Sequence, residues 1–346
     1  MLEHGDRGGS LVATRGGGGP LLCSHLDTSL DGTPRDAWIT GRVDPVGALR
    51  IDGGFVEGFG LGVARAPAAA AIVAFAGAAA GSLLISGSGT HRAGGKPTGL
   101  DAYLGEWPHA GAAVVAKAGP PGVLWEEPGA CYLSVQVRGS SGVALAPASA
   151  TPAGGVAARA GVVLDALAAW CADYVASRPP VGQVGAAAGI GAVRSGWTDK
   201  PDLLPALLEV GLYVVTVPGE DVPSLAAQVR ERLGRTLSGS PLRDCALDVR
   251  AEEVHPAAAT SPDAPIVRAA VQSWAAEFGP PPPITGWTGS TDGVVLRGRG
   301  IDTVRLGPTV ERCADDPRRD RVEIAQLAAC ARIYRRLLAV TLPSRR

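Results

Sequence analysis

Several things are scarce in this sequence, and each scarcity removes a class of protein. Neither sign of charge is in surplus: Lys+Arg 32 against Asp+Glu 33 gives a formal net charge of −1. With no basic excess to neutralise phosphates, nucleic acid is not an expected partner. Long apolar runs are missing too, since Gly, Pro or charge interrupts each Ala-rich stretch before it reaches membrane-spanning length. Met1 to Gly19 is charged and Gly-rich where an export signal would be apolar. The expected setting is therefore cytoplasmic, with no membrane partner. Only six cysteines occur, none in a C-x-x-C pair, and a chain of this size does not need disulfide staples, so reduced thiols are expected. Aromatic residues make up 5%, which leaves aliphatic side chains and Ala to fill the core. The Gly16–Gly19 run lacks the Lys and the following helix of a phosphate loop, which argues against a nucleotide site.

What is present is an ordinary foldable composition, 46% hydrophobic and 19% charged over 346 residues, long enough for two domains. Leu21 to Ser24 reads as a buried strand ending at His25 and Asp27. Val63 to Ala80 reads as a buried helix entered through Pro67. Strands follow at Leu83 to Ser86 and at Val114–Val115, an alternation that predicts a parallel α/β sheet. From Ala130 the texture changes. Cys131 to Arg138 alternates as a half-buried strand, 157–177 has helical spacing, 211–217 is a strand and 222–233 a helix. Ala246 to Arg250 then reads as a strand of the first domain resumed, followed by helices over 264–278 and 321–338 around a strand at 301–306. The expected organisation is an α/β catalytic-like domain at 1–128 and 241–346, interrupted by a small α+β domain at 129–240.

The order Leu22-Cys23-Ser24-His25-Leu26-Asp27-Thr28, Trp38, Asp44-Pro45, Asp52-Gly53 and Gly58-Phe59-Gly60 resembles the opening of the di-zinc amidohydrolase and exopeptidase family that includes acetylornithine deacetylase, succinyl-diaminopimelate desuccinylase and carboxypeptidases. Gly289-Ser290-Thr291-Asp292, Gly300-Ile301, Leu306-Gly307-Pro308 and Arg321-Val322-Glu323-Ile324 extend the resemblance to the other end of the chain. It implies an α/β/α zinc-exopeptidase-like domain interrupted by a lid, often dimeric through that lid. It also implies two zinc ions on His and carboxylate ligands, with a Glu as general base on metal-bound water. His25 matches the first His ligand and Asp27 the carboxylate that orients it. The other matching positions depart from the pattern. Val63 stands where the bridging Asp belongs, Gly89-Thr90-His91-Arg92 where the paired glutamates belong, Lys117 at a carboxylate ligand and Asp316 at the last His. In the lid, Val143, Asp202 and Val215 stand where the family's substrate-gripping His, Asn and Arg would be. The family's N-terminal helix is expected to be missing, because His25 lies so near the start.

These departures set the expected function: a peptidase- or deacetylase-like protein without the di-zinc site, working as a metal-independent enzyme on a small amide, acyl or amino-acid-derived substrate. The alternatives are a non-catalytic binding or scaffold protein, and a residual single-metal amidohydrolase. Candidate catalytic residues are His25, Asp27, His91 and Lys117, with the imidazoles as acid and base and Lys117 as a cation in place of zinc. Candidate substrate-binding residues are Arg65, Thr90, Ser290, Thr291 and Asp292. No cofactor is expected, and the weak metal alternative rests on His25 and Asp316 holding zinc at low occupancy. A small molecule is the expected ligand and a lid-mediated homodimer the expected assembly. Cys23 shares a strand face with His25 and is expected to pack rather than react. His4, His109 and His255 are expected to be solvated.

Overall fold

The computed structural model describes residues 1–3, 8–16, 19–89, 98–107 and 111–341. The chain forms two compact units. The first comprises 1–127, 258–284 and 289–346, and the second 128–257 with 285–288.

The first unit is built on a six-stranded sheet. Its core is three parallel pairings: Leu21–His25 lies between Gly81–Ser86 and Ala112–Ala116, and Asp302–Leu306 pairs with Ala112–Ala116. Gly9–Arg15 adds antiparallel to Gly81–Ser86, and Leu2–Glu3 adds to that strand. The parallel strands read as continuous apolar runs because both of their faces are covered. Side chains alternate between the faces. Leu22, Leu83, Ile85, Val114 and Val304 join a cluster with the helices Ala66–Ala76, Pro265–Phe278 and Ile324–Leu338. Leu21, Cys23, Leu84 and Val115 join another with Leu100, Tyr103 and Leu104 of the helix Thr98–Glu106 and with Leu296. Helices on both faces make this an α/β/α unit, as the sequence predicts. The helix over 66–76 is entered through one wide π-helical turn, Leu61–Arg65, after Gly60 in a left-handed conformation at φ 66°. Val63 lies in that turn.

A second sheet of the first unit has the order Glu311–Arg312, Arg319–Glu323, Phe55–Phe59, Arg50–Asp52, all antiparallel. It corrects the expected start of the last helix. Residues 319–323 are extended because they pair with Phe55–Phe59, and the helix begins at Ile324.

The second unit is a four-stranded antiparallel sheet in the order Ala187–Arg194, Leu207–Thr216, Gly129–Arg138, Ala246–His255. The helices Ala160–Ala176 and Val222–Ser238 cover one face, burying Leu133, Val135, Leu167, Trp170, Leu212, Val229 and Leu233 in a single core. The return to the first unit falls later than the expected 241, since Ala246–His255 pairs along its length with Gly129–Arg138 and belongs to this sheet. A strand over 246–250 is expected from the sequence, but the sequence does not say which sheet that strand joins. His255, expected in solvent, is 7% exposed. No helix among the described residues is long and apolar enough to cross a membrane.

Candidate active site

Ligands of open α/β sheets gather beyond the carboxyl ends of the parallel strands. In the first unit that edge carries His25, the last residue of Leu21–His25, and Lys117, the residue after Ala112–Ala116. His25 is 1% exposed. Its Nδ1 lies 2.9 Å from Asp27 Oδ1 and 3.1 Å from the Asp27 carbonyl oxygen. The same Asp27 oxygen accepts the Gly89 N–H at 2.8 Å. Asp27, held from the neighbouring strand's exit, thus fixes the ring and favours the tautomer with a proton on Nδ1. Nε2 is buried and has no hydrogen-bond partner. Burial pulls the imidazole's pKa down, the Lys117 charge pulls it further, and Asp27 opposes both. The result is a neutral imidazole whose bare nitrogen is a base.

Asp292 follows the Ser-Thr turn and is 6% exposed, with Oδ1 unpartnered. Gly89 explains how it approaches His25. A Cβ at Gly89 would lie 2.6 Å from His25 Cβ and 2.8 Å from Asp292 Oδ2, so only glycine lets the two side chains flank that segment. Burial raises the Asp292 pKa, with Lys117 the main opposing influence. Burial lowers that of Lys117, helped by Arg305 and opposed by Asp292. The two groups therefore approach each other in proton affinity, with Asp292 buried and Lys117 half-buried.

Beneath them is a buried charge network that sequence reasoning missed. The Glu127 side chain is fully buried; Arg297 Nη1 donates to its Oε2 at 2.5 Å, Thr291 Oγ1 to its Oε1 at 2.5 Å, and Arg305 Nη1 stands 3.8 Å from Oε1. Arg305 also donates to the carbonyls of Gly289 and Ala118. The available signal was Arg305 itself: an Arg between Val304 and Leu306, on a strand covered on both faces, needs a buried carboxylate.

The other candidate residues are placed as follows. Thr291 is buried and spent on Glu127 and on the Gly293 N–H. Ser290 precedes it and is partly buried. Arg65 donates to the carbonyls of Leu26 and Phe59, each at 3.2 Å, and lies over the Phe59 ring, so it ties two loops together. Thr90 and His91 lie outside the described residues. Cys23 is 3% exposed and burial pushes its thiol well above the ordinary range, as packing requires. In the second unit Val215 is buried, while Val143 and Asp202 are at the surface.

Asp316 faces Arg318, which donates from Nε at 2.9 Å and Nη2 at 2.8 Å, with Arg42 3.6 Å away. Its carboxylate is committed to that fork. Arg318 holds its pKa down at about 2. A depressed carboxylate contributes stability that is complete above the ordinary Asp value and is lost as pH falls through the folded value. Urea unfolding of the wild type should therefore weaken between about pH 4 and about pH 2. Asp316→Asn should remove about 1–2 kcal/mol at neutral pH and flatten that acid limb; an acid limb unchanged in the variant would refute the assignment.

No protein-family model matches the sequence, and no curated protein does. Solved structures do match. A di-peptidase from Saccharomyces cerevisiae superposes with a TM-score of 0.67 at 14% identity, over 95% of this chain and 81% of its own. Human carnosine dipeptidase 1 gives 0.66 at 12% identity, over 95% and 82%. An M20 family metallo-carboxypeptidase from Sulfolobus solfataricus gives 0.63 at 15% identity, over 95% and 87%. The chain therefore has the fold of M20 family peptidases. A further structure of this fold, from Bacillus subtilis, is described as a dinuclear metal-binding peptidase, which poses the question of fit here. Among the described residues no group of three or more His, Cys, Asp or Glu could hold a metal ion. The segment 90–97 contains one histidine, His91, and no carboxylate, and the donors at the described sheet edge, His25, Asp27 and Asp292, share it with the amine of Lys117. That donor set does not fit a pair of zinc ions.

Proposed function

We propose that this protein is a peptidase-fold enzyme that works without the di-zinc pair, on a small amide, acyl or amino-acid-derived substrate. The observation that carries the proposal is buried His25 held by half-buried Asp27, with the unpartnered His25 Nε2 sharing the sheet edge with Lys117. His25 is the base and Asp27 orients it. Lys117 supplies the positive charge that a metal would otherwise provide. Thr90 and His91 are assigned to the substrate and to proton delivery, and Ser290 to Asp292 to the substrate-binding wall. The second unit is assigned as a lid and homodimer contact, and the protein to the cytoplasm, with no cofactor, nucleic acid or membrane partner.

Two other readings have support. Val63 in the wide turn and Val143 in the second unit replace functional groups by hydrocarbon, which favours a binding protein without turnover. The bare Nε2 of His25 favours a single weakly held ion. Plasma mass spectrometry of the purified protein, zinc calorimetry, and turnover of N-acyl amino acids and short peptides with and without chelator separate the three. The proposal expects almost no bound zinc and chelator-insensitive turnover. Turnover abolished by chelator would establish the metal reading, and ligand binding without turnover the scaffold reading.

A further inference from the structure

We infer that Lys117 is a nucleophilic amine that condenses with an aldehyde or ketone group of a small ligand, so that the strand-end site carries imine chemistry beside its acid/base chemistry. The inference rests on the metal-independent reading above. It starts from a fixed main chain. The Lys117 N–H donates to the Leu306 carbonyl at 3.3 Å, and Ser24 Oγ donates to the adjoining Ala116 carbonyl at 2.8 Å. Gly307 packs so closely that a Cβ there would lie 2.3 Å from the Lys117 carbonyl oxygen. The side chain therefore departs from a rigid point at the carboxyl edge of the sheet.

Its amine has no hydrogen-bond or ion-pair partner among the described residues. Lys117 is half-buried; a lysine there with a structural role would be held by a carboxylate contact, and no described residue makes one. Asp292 shares its electrostatic environment and has its own Oδ1 unpartnered, which leaves two polar groups at one site without a hydrogen-bond or ion-pair partner for the amine or for Oδ1 among the described residues. Burial and Arg305 bring the Lys117 pKa down to about 8, so that the charged form predominates near neutrality while a share of the amine is free to attack, and burial favours the neutral carboxyl of Asp292. A desolvated Lys beside another cation is the arrangement that makes an amine nucleophilic near neutral pH.

The step balances with Asp292 as the only proton carrier. The amine attacks the carbonyl carbon, forming a C–N bond, while the C=O π electrons pass to oxygen, which takes the Asp292 proton. The resulting carboxylate removes a proton from nitrogen and returns it to the hydroxyl group. The hydroxyl leaves as water as the C=N bond forms. One water is released and no oxidant or reductant is required.

The sequence has only three lysines, Lys96, Lys117 and Lys200, which makes the test direct. The full chain is incubated with glyoxylate and cyanoborohydride, and the modified lysine is located by peptide mass spectrometry. The expected result is one carboxymethyl group on Lys117, acquired about tenfold or more faster than on the exposed Lys200. Lys200→Arg should leave that labelling unchanged and Asp292→Asn should slow it. Lys117→Arg should abolish it in a protein with an unchanged circular dichroism spectrum. Labelling of Lys117 no faster than that of Lys200 overturns the inference. Chelator-insensitive turnover that depends on His25, without Lys117 labelling, would sink the imine alone, whereas labelling in a protein whose turnover needs zinc would sink the metal-independent reading instead.

Discussion

Replacing Glu127 by Ala should destabilise the protein by about 3–5 kcal/mol, since it leaves buried guanidinium groups without a counter-charge. Glu127 sits between Arg297 and Arg305, whose side chains are 2% and 4% exposed. One carboxylate thus faces two buried cations. Arg297 would keep its contacts to Thr260 and to the Thr303 carbonyl, and Arg305 its contacts to Gly289 and Ala118. Those contacts satisfy N–H groups but supply no full negative charge. Thr291 would lose the acceptor of its hydroxyl, loosening the turn that presents Asp292. Glu127→Gln keeps the shape and much of the hydrogen bonding, so the difference between the two variants in urea isolates the charge from the packing. A loss below about 1 kcal/mol for Glu127→Ala would show that water reaches the network, because hydrated guanidinium groups tolerate the change.

That network marks where the sequence stops being informative. The carboxylate and its two cations are separated by 170 and 178 positions; Glu127 and Arg297 alone span 170, and no periodicity links them. By contrast, Leu21–His25 and Ala112–Ala116 were readable because a parallel strand covered on both faces must be apolar throughout and must end where polar residues resume. His25 and Asp27 were legible as the polar pair that ends such a run, and Lys117 through the resemblance, as the residue standing at a family carboxylate position. Gly9–Arg15 was not, because an outer antiparallel strand carries polar side chains and follows no buried pattern. Arg321–Glu323 was read as the head of the last helix from the resemblance of Arg321-Val322-Glu323-Ile324 to the family, and only the pairing of 319–323 with Phe55–Phe59 makes those residues a strand. The return of the chain at 258 depended on which sheet takes Ala246–His255, and that is set by cross-strand partners rather than by the strand's own residues.

Replacing His25 by Ala should lower turnover of any substrate found in the peptide and N-acyl amino acid series by about 10²–10⁴-fold, the contribution of a positioned general base. The magnitude follows from how completely the ring is held. Nδ1 is committed to Asp27, Asp27 to the Gly89 N–H, and the remaining nitrogen has no protein partner to give up before it takes a substrate proton. The working form is the neutral ring, so activity should fall as pH drops through the His25 pKa. Burial and Lys117 set that pKa below the ordinary imidazole value, with Asp27 opposing, so the acid limb should lie below about pH 6.5. Lys117→Met removes one of the two lowering influences, and the His25 midpoint, followed by the NMR shift of its ring proton, should move up. Asp27→Asn removes the opposing influence and should move it down. A midpoint that stays fixed in both variants would mean that the three side chains do not share one electrostatic site. Undiminished turnover in His25→Ala would remove the imidazole from the chemistry and leave Lys117 and Asp292 as the reacting pair.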